Sequence, residues 1–214
     1  MSLWVCSRLF RAHTRSAIIE EIEGKHTIGL AIMAYYYFDF RDDKKQDCFG
    51  MLSSLVSQLS AESDSCYEIL SKLYSDKSHG IRKPSIGALK KCMKDMLSQP
   101  GQGPIYVIVD GLDECPNSSG MPSARREVLE LIKELVGLEL PNVYLCVASR
   151  PEIDVRMVLA SLEPVEISLD DEVGQKADII AFIEYAVRSN SMPDWTEKDQ
   201  MLVINTLSQK ANGM

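Results

Sequence analysis

The sequence lacks a long hydrophobic run. Its longest apolar stretch, Ile28 to Phe38, is about half of the roughly 20 residues that a membrane-spanning helix needs, so no membrane partner is expected. The start, Met1-Ser2-Leu3-Trp4-Val5-Cys6, lacks a basic n-region followed by a long apolar segment and a small-residue cleavage site, and the expected location is cytoplasmic. The six cysteines, Cys6, Cys48, Cys66, Cys92, Cys115 and Cys146, form neither a C-x-x-C pair nor a Cys/His cluster. That spacing excludes a zinc module and suits a reducing compartment. An excess of positive charge is also missing: 23 Lys and Arg stand against 31 Asp and Glu, a net charge of −8. An acidic surface repels phosphate backbones, so nucleic acid is excluded from the expected partners. No internal repeat and no low-complexity segment interrupts the chain.

What is present suits one sizeable core, since 45% of the 214 residues are hydrophobic and 25% charged, the balance of an ordinary globular protein. Apolar β-rich runs alternate with segments of helical period, which predicts an α/β fold with a mostly parallel sheet of about four or five strands. Ser16 to Glu23 reads as the end of a helix, closed by Gly24, and Leu30 to Phe38 as a fully buried strand. The stripe Phe49, Leu52, Leu55, Val56, Leu59 marks an outer helix within Lys44 to Leu59, and a second runs to Tyr74. After a break over Lys77 to Pro84, Ser85 starts a helix that ends near Pro100. Strands are predicted at Ile105 to Val109, Val143 to Val147 and Val165 to Leu169. Helices are predicted at Ser123 to Val136, Val173 to Arg188 and Thr196 to Lys210.

The chemistry-bearing segment is Ile105-Tyr106-Val107-Ile108-Val109-Asp110-Gly111-Leu112-Asp113-Glu114. In an open parallel sheet ligands sit at the carboxyl ends of the strands. Asp110 would therefore stand at the rim, where a carboxylate holds Mg²⁺ directly or through water. Asp113 and Glu114 fall just beyond, where one acid would orient or deprotonate a water attacking a γ-phosphate. Three carboxylates within five positions repel one another unless a cation or solvent neutralises them. The competing reading is a solvated loop.

Val109-Asp110-Gly111-Leu112-Asp113-Glu114 resembles the Walker B segment of NACHT domains, in the STAND class of signalling P-loop NTPases, and in particular of the branch with the nephrocystin-3-like N-terminal domain. Val143-Tyr144-Leu145-Cys146-Val147-Ala148-Ser149-Arg150-Pro151-Glu152 resembles the next strand of that family, which ends in T/S-S-R-P. Tyr35 to Phe38 with Asp39-Phe40-Arg41-Asp42-Asp43 is similar to its second strand and polar loop. The resemblance spans about Ser16 to Met214. It implies a three-layer P-loop NTPase fold, truncated at both ends, with Arg150 as sensor 1 near the γ-phosphate, Ser149 beside it, and Asp110 binding Mg²⁺. It also implies Mg²⁺ and ATP or ADP as family cofactors, and other protein domains or further copies of the chain as partners.

The chain departs from that family at its start. A phosphate loop, G-x-x-x-x-G-K-S/T, presents backbone amides and a lysine to the phosphates. Residues 1–15 form a divergent segment in its place, where Cys6-Ser7-Arg8-Leu9-Phe10-Arg11-Ala12-His13-Thr14-Arg15 holds no glycine. Gly24-Lys25-His26-Thr27 fails the motif, having no glycine five residues before Gly24. If residues 16–214 are a partial core, Leu3 to Leu9 is the candidate for its missing central strand. The expectation is a signalling or scaffold domain without ATP hydrolysis, possessing the acids but not the cradle, and in need of no cofactor. A phosphate loop upstream of Met1 would instead make an active ATP or GTP switch. His13, His26, His79 and Cys115 are assigned structural roles, and Asp170-Asp171-Glu172 a helix N-terminus.

Overall fold

Parallel pairing organises the chain. The computed structural model describes residues 2–7, 21–75, 83–117, 122–150, 152–168, 173–189 and 195–210. They fall into two compact units, Met1–Ile167 and Ser168–Met214. In the first, the sheet order is β2 (Ile32–Tyr37), β3 (Ile105–Asp110), β4 (Val143–Ser149), β1 (Ser2–Ser7), β5 (Val165–Ser168). The β2–β3, β3–β4 and β4–β1 pairs are all parallel. The expected α/β architecture is the one observed, and β1 takes the interior position proposed for Leu3 to Leu9. Ser7 lies in register with Ser149, so the chain leaves β1 at the rim where β4 ends. The segment replacing the phosphate loop continues from there, but residues 8–20 lie outside the described residues, as do His13, His79, Pro151 and Asp170-Asp171-Glu172.

Helices α2 (Cys48–Glu62), α3 (Asp64–Ser75), α4 (Ile86–Leu97), α5 (Ala124–Val136) and α6 (Ile153–Ala160) belong to the main core. Four of them start where a side chain caps a free amide: Asp47 accepts from Gly50 N–H at 2.6 Å, Ser63 from Cys66 at 3.2 Å, Ser85 from Ala88 at 3.2 Å, Ser123 from Arg126 at 3.3 Å. Met51, Leu52, Leu55 and Val56 of α2 join Ala34, Tyr36, Val107, Val109, Leu145 and Val147 from one face of the sheet. The opposite face carries Met33, Ile108 and Cys146 under Ile22 of α1, helical over residues 21–27. Helices on both faces give the three layers.

Two local readings change, and one helix had no reading. Leu30 to Phe38 is not a fully buried strand: β2 is an edge, Leu30 is 62% exposed and Tyr35 42%. The free edge is clasped by Gln58 of α2, whose amide accepts from Tyr35 N–H at 3.0 Å and donates to Tyr35 C=O at 2.8 Å. Such pairing blunts an edge that would otherwise template another strand. Gly24 does not close α1. The helix runs on through residue 27, and Gly29, in the left-handed region at φ 72°, ends it with amides of residues 29 and 30 bonded to His26 and Lys25 carbonyls. Helix α6 was not legible. It has only two buried residues, Val155 and Leu159, too few to set a period.

In the second unit α7 (Val173–Ser189) packs with α8 (Glu197–Lys210). Thr196 and Asp199 exchange bonds at the start of α8, Thr196 N–H to Asp199 Oδ2 at 2.9 Å and Asp199 N–H to Thr196 Oγ1 at 3.3 Å. Among the described residues no helix is long and apolar enough to cross a membrane.

Candidate functional site

At the carboxyl ends of β2, β3 and β4 a cleft of about 280 Å³ opens between three loops. Asp110 closes β3, opposite Tyr37 in register, and its carbonyl accepts from Phe38 N–H at 2.9 Å. Gly111 turns the chain at φ 67° into the 3₁₀ turn Leu112–Glu114. That turn is anchored by Leu112 and Cys115, both fully buried. The strand-end acids and the Ser149-Arg150 pair, far apart in sequence, line the same cleft with Asp39, Arg41 and Lys45.

Asp113 is engaged by Arg150. Its Oδ1 accepts from the Arg150 backbone amide at 2.9 Å and its Oδ2 lies 3.4 Å from Arg150 Nε. The Asp113 side chain is 11% exposed, that of Arg150 57%. Ser149, buried, donates to the Arg150 carbonyl at 2.8 Å. Glu114 reaches across to the loop after β2, where its Oε2 accepts from Phe40 N–H at 3.3 Å. Gln46 Nε2 donates to Phe40 C=O at 2.7 Å and Cys115 Sγ to Gln46 C=O at 3.3 Å. Burial pushes the Cys115 thiol up to about 12. It stays protonated as a donor, in keeping with the structural role expected.

Two cations of this cleft, Arg41 and Lys45, were not singled out as site residues. The signal was available in Asp39-Phe40-Arg41-Asp42-Asp43, whose alternation of signs reads as a solvated loop until β2 and β3 are known to be neighbours. Arg41 binds Asp39 through its backbone amide and Nε at 2.9 and 3.0 Å to Oδ1, and Nη2 at 3.1 Å to Oδ2. This holds the Asp39 carboxyl down at about 2, below its ordinary value near 3.8. A depressed folded value means that the contact contributes fully above pH 4 and is lost as the pH falls through about 2. The Asp39 carboxyl carbon, followed by NMR, is expected to titrate with a midpoint near 2 in the native chain. A midpoint near 3.8 would show that the Arg41 contact is absent in solution.

Mg²⁺ is commonly held by one or two carboxylates with water and phosphate oxygens, a set that Asp110 and Glu114 fit. The described residues bring together no group of three or more His, Cys, Asp or Glu side chains that would hold a metal ion on their own. The described lining has four carboxylates, Asp39, Asp110, Asp113 and Glu114, against Arg41, Lys45 and Arg150, and two of those cations are bound to two of those acids.

The family model of the nephrocystin 3 N-terminal region matches residues 13–150. That span is well over half of the chain, and it includes β2, β3, the Leu112–Glu114 turn, β4 and Arg150. The chain belongs to the nephrocystin 3 N-terminal family. The chain also has likenesses among solved structures at low identity. The Aeropyrum pernix ORC1 protein in complex with DNA is 14% identical, with a TM-score of 0.47, over 97% of this chain and 52% of that one. A chain of Drosophila ORC bound to DNA is 14% identical at a TM-score of 0.39, over 78% of each. Among curated proteins nothing matches. The exclusion of nucleic acid drawn from the net charge is corrected here: the similar structures are of other proteins, in complex with DNA, and the charge argument itself does not hold. Net charge sums over a whole chain, whereas phosphate contacts are made by local groups, so −8 excludes nothing.

Proposed function

We propose that this P-loop NTPase-like domain is a NACHT-type signalling scaffold that retains the Walker B acids but does not hydrolyse ATP. The observation that carries the reading is the Asp113–Arg150 pair: the backbone amide and Nε of Arg150 both meet one carboxylate. The resemblance casts Asp113 as a catalytic acid and Arg150 as sensor 1, yet here each answers the other. Ser149 supports the Arg150 backbone. Glu114 remains the acid for a water and Asp110 the ligand for Mg²⁺ in any nucleotide-bound form.

The start of the chain supports the same reading. β1 delivers it to the rim beside Ser149, and the next eight residues bring Arg8, Arg11 and Arg15 but no glycine. A cluster of cations does not replace a nest of backbone amides, and without it phosphoryl transfer loses most of its electrostatic stabilisation. The active-switch alternative, with a phosphate loop supplied from upstream, would require another strand in the interior position that Ser2–Ser7 fills. The test is the melting temperature of the chain under titration with Mg²⁺-ATP and Mg²⁺-ADP, where no shift is expected.

A further inference from the structure

Arg125 has no role in the readings above, yet it is one of few charged residues buried in the first unit, at 8% exposure. It occupies the first turn of α5, where the helix dipole disfavours a cation, so its place needs a compensating contact. Three contacts are present. Nη2 donates to the Asp113 carbonyl at 2.7 Å, Nε to the Cys115 carbonyl at 2.9 Å, and Nη1 lies 3.3 Å from Asp154 Oδ1. The first two carbonyls belong to the turn that carries Asp113 and Glu114. Asp154 opens α6, four residues after Arg150. Asn117 Nδ2 donates to Asp154 Oδ2 at 2.9 Å, and the α5 cap Ser123 donates to Asn117 Oδ1 at 2.9 Å.

We infer that Arg125 is the positioning residue of the strand-end acids: its planar guanidinium ties the Asp113–Cys115 turn to α6 and so sets the turn against the Arg150 loop. The fork geometry is what matters. A guanidinium satisfies two carbonyls and a carboxylate at once from fixed directions, whereas an ammonium on a flexible stem does not. Arg125 touches no ligand itself and acts through the Asp113–Arg150 bond. The assignment is independent of whether nucleotide binds.

Amide hydrogen exchange on the full, nucleotide-free chain tests it. In Arg125→Lys, the Arg150 amide, bonded to Asp113, and the Cys115 amide, bonded to Leu112 C=O, are expected to exchange at least about tenfold faster while the amides of α2 keep their rate, the signature of local opening. Equal acceleration in α2 would reduce Arg125 to general stabilisation, and an unchanged Arg150 amide would overturn the assignment outright. If Arg125→Lys does not fold, Asp154→Asn is read in the same way at Arg150: acceleration there with α2 unchanged supports the tie, and an unchanged rate overturns it.

Discussion

Leu52→Ala is expected to lower the stability of the first unit by about 2–5 kcal/mol, the range for truncating a fully buried leucine. Leu52 has no exposed surface and sits in the middle of α2, the helix that packs against β2, α3, α4 and α5. The cluster it belongs to draws residues from both sheet and helices, so no single element can shift to fill the void. For a unit of this size the melting temperature should fall by roughly 5–15 °C. Leu30→Ala supplies the contrast. Leu30 is 62% exposed, and its truncation should change stability by less than about 0.5 kcal/mol. A Leu52→Ala chain that melts within 2 °C of the parent, on the order of a single kcal/mol, would mean that α2 does not pack on the sheet as described.

Gly111→Val is expected to be nearly as damaging, and its damage falls on the site. Gly111 adopts φ 67°, and a Cβ there would stand 3.1 Å from the Phe38 carbonyl. The left-handed conformation costs a non-glycine residue roughly 1–2 kcal/mol, and β-branching and the close approach add to it. About 2–3 kcal/mol is therefore expected in a denaturant titration. The acidic turn should move with it, so the Asp113–Arg150 bond should be lost to amide exchange before the core melts. Gly24→Ala is the control. Gly24 lies inside α1 with open space where its Cβ would go, so alanine should stabilise by about 0.5–1 kcal/mol. Equal stability of Gly111→Val and the parent would show that the turn is not held as described.

Much of the fold could be read from local pattern because the local pattern is what the sheet uses. The apolar runs at Ile105 and Val143 are strands buried on both faces, and the caps at Asp47, Ser85 and Ser123 start helices at the residues a capping rule would choose. Edge and interior could not be told apart. Tyr35-Tyr36-Tyr37 looks uniformly buried in sequence, yet only Tyr36 is, packed edge-on against Phe38 with ring centres 5.0 Å apart. The candidate residues were legible where they fall in two short motifs. Asp110, Asp113, Glu114, Ser149 and Arg150 do line one cleft. Their engagements were not legible: the Asp113–Arg150 and Glu114–Phe40 bonds join residues 37 and 74 positions apart, and only sheet order brings them together. Arg125 left one trace in the sequence, a cation at a helix start where acids are favoured.

The most direct test of the scaffold reading is a thermal titration of the chain with Mg²⁺-ATP and Mg²⁺-ADP, run beside Asp110→Ala. A ligand at about 100 times its Kd stabilises the native state by roughly 2.7 kcal/mol, or on the order of 5–10 °C at this size. The expected result is a cooperative melt that millimolar nucleotide does not move in either chain. A shift of that size in the parent, abolished by Asp110→Ala, would show that the strand-end acids still hold a nucleotide and would contradict the reading.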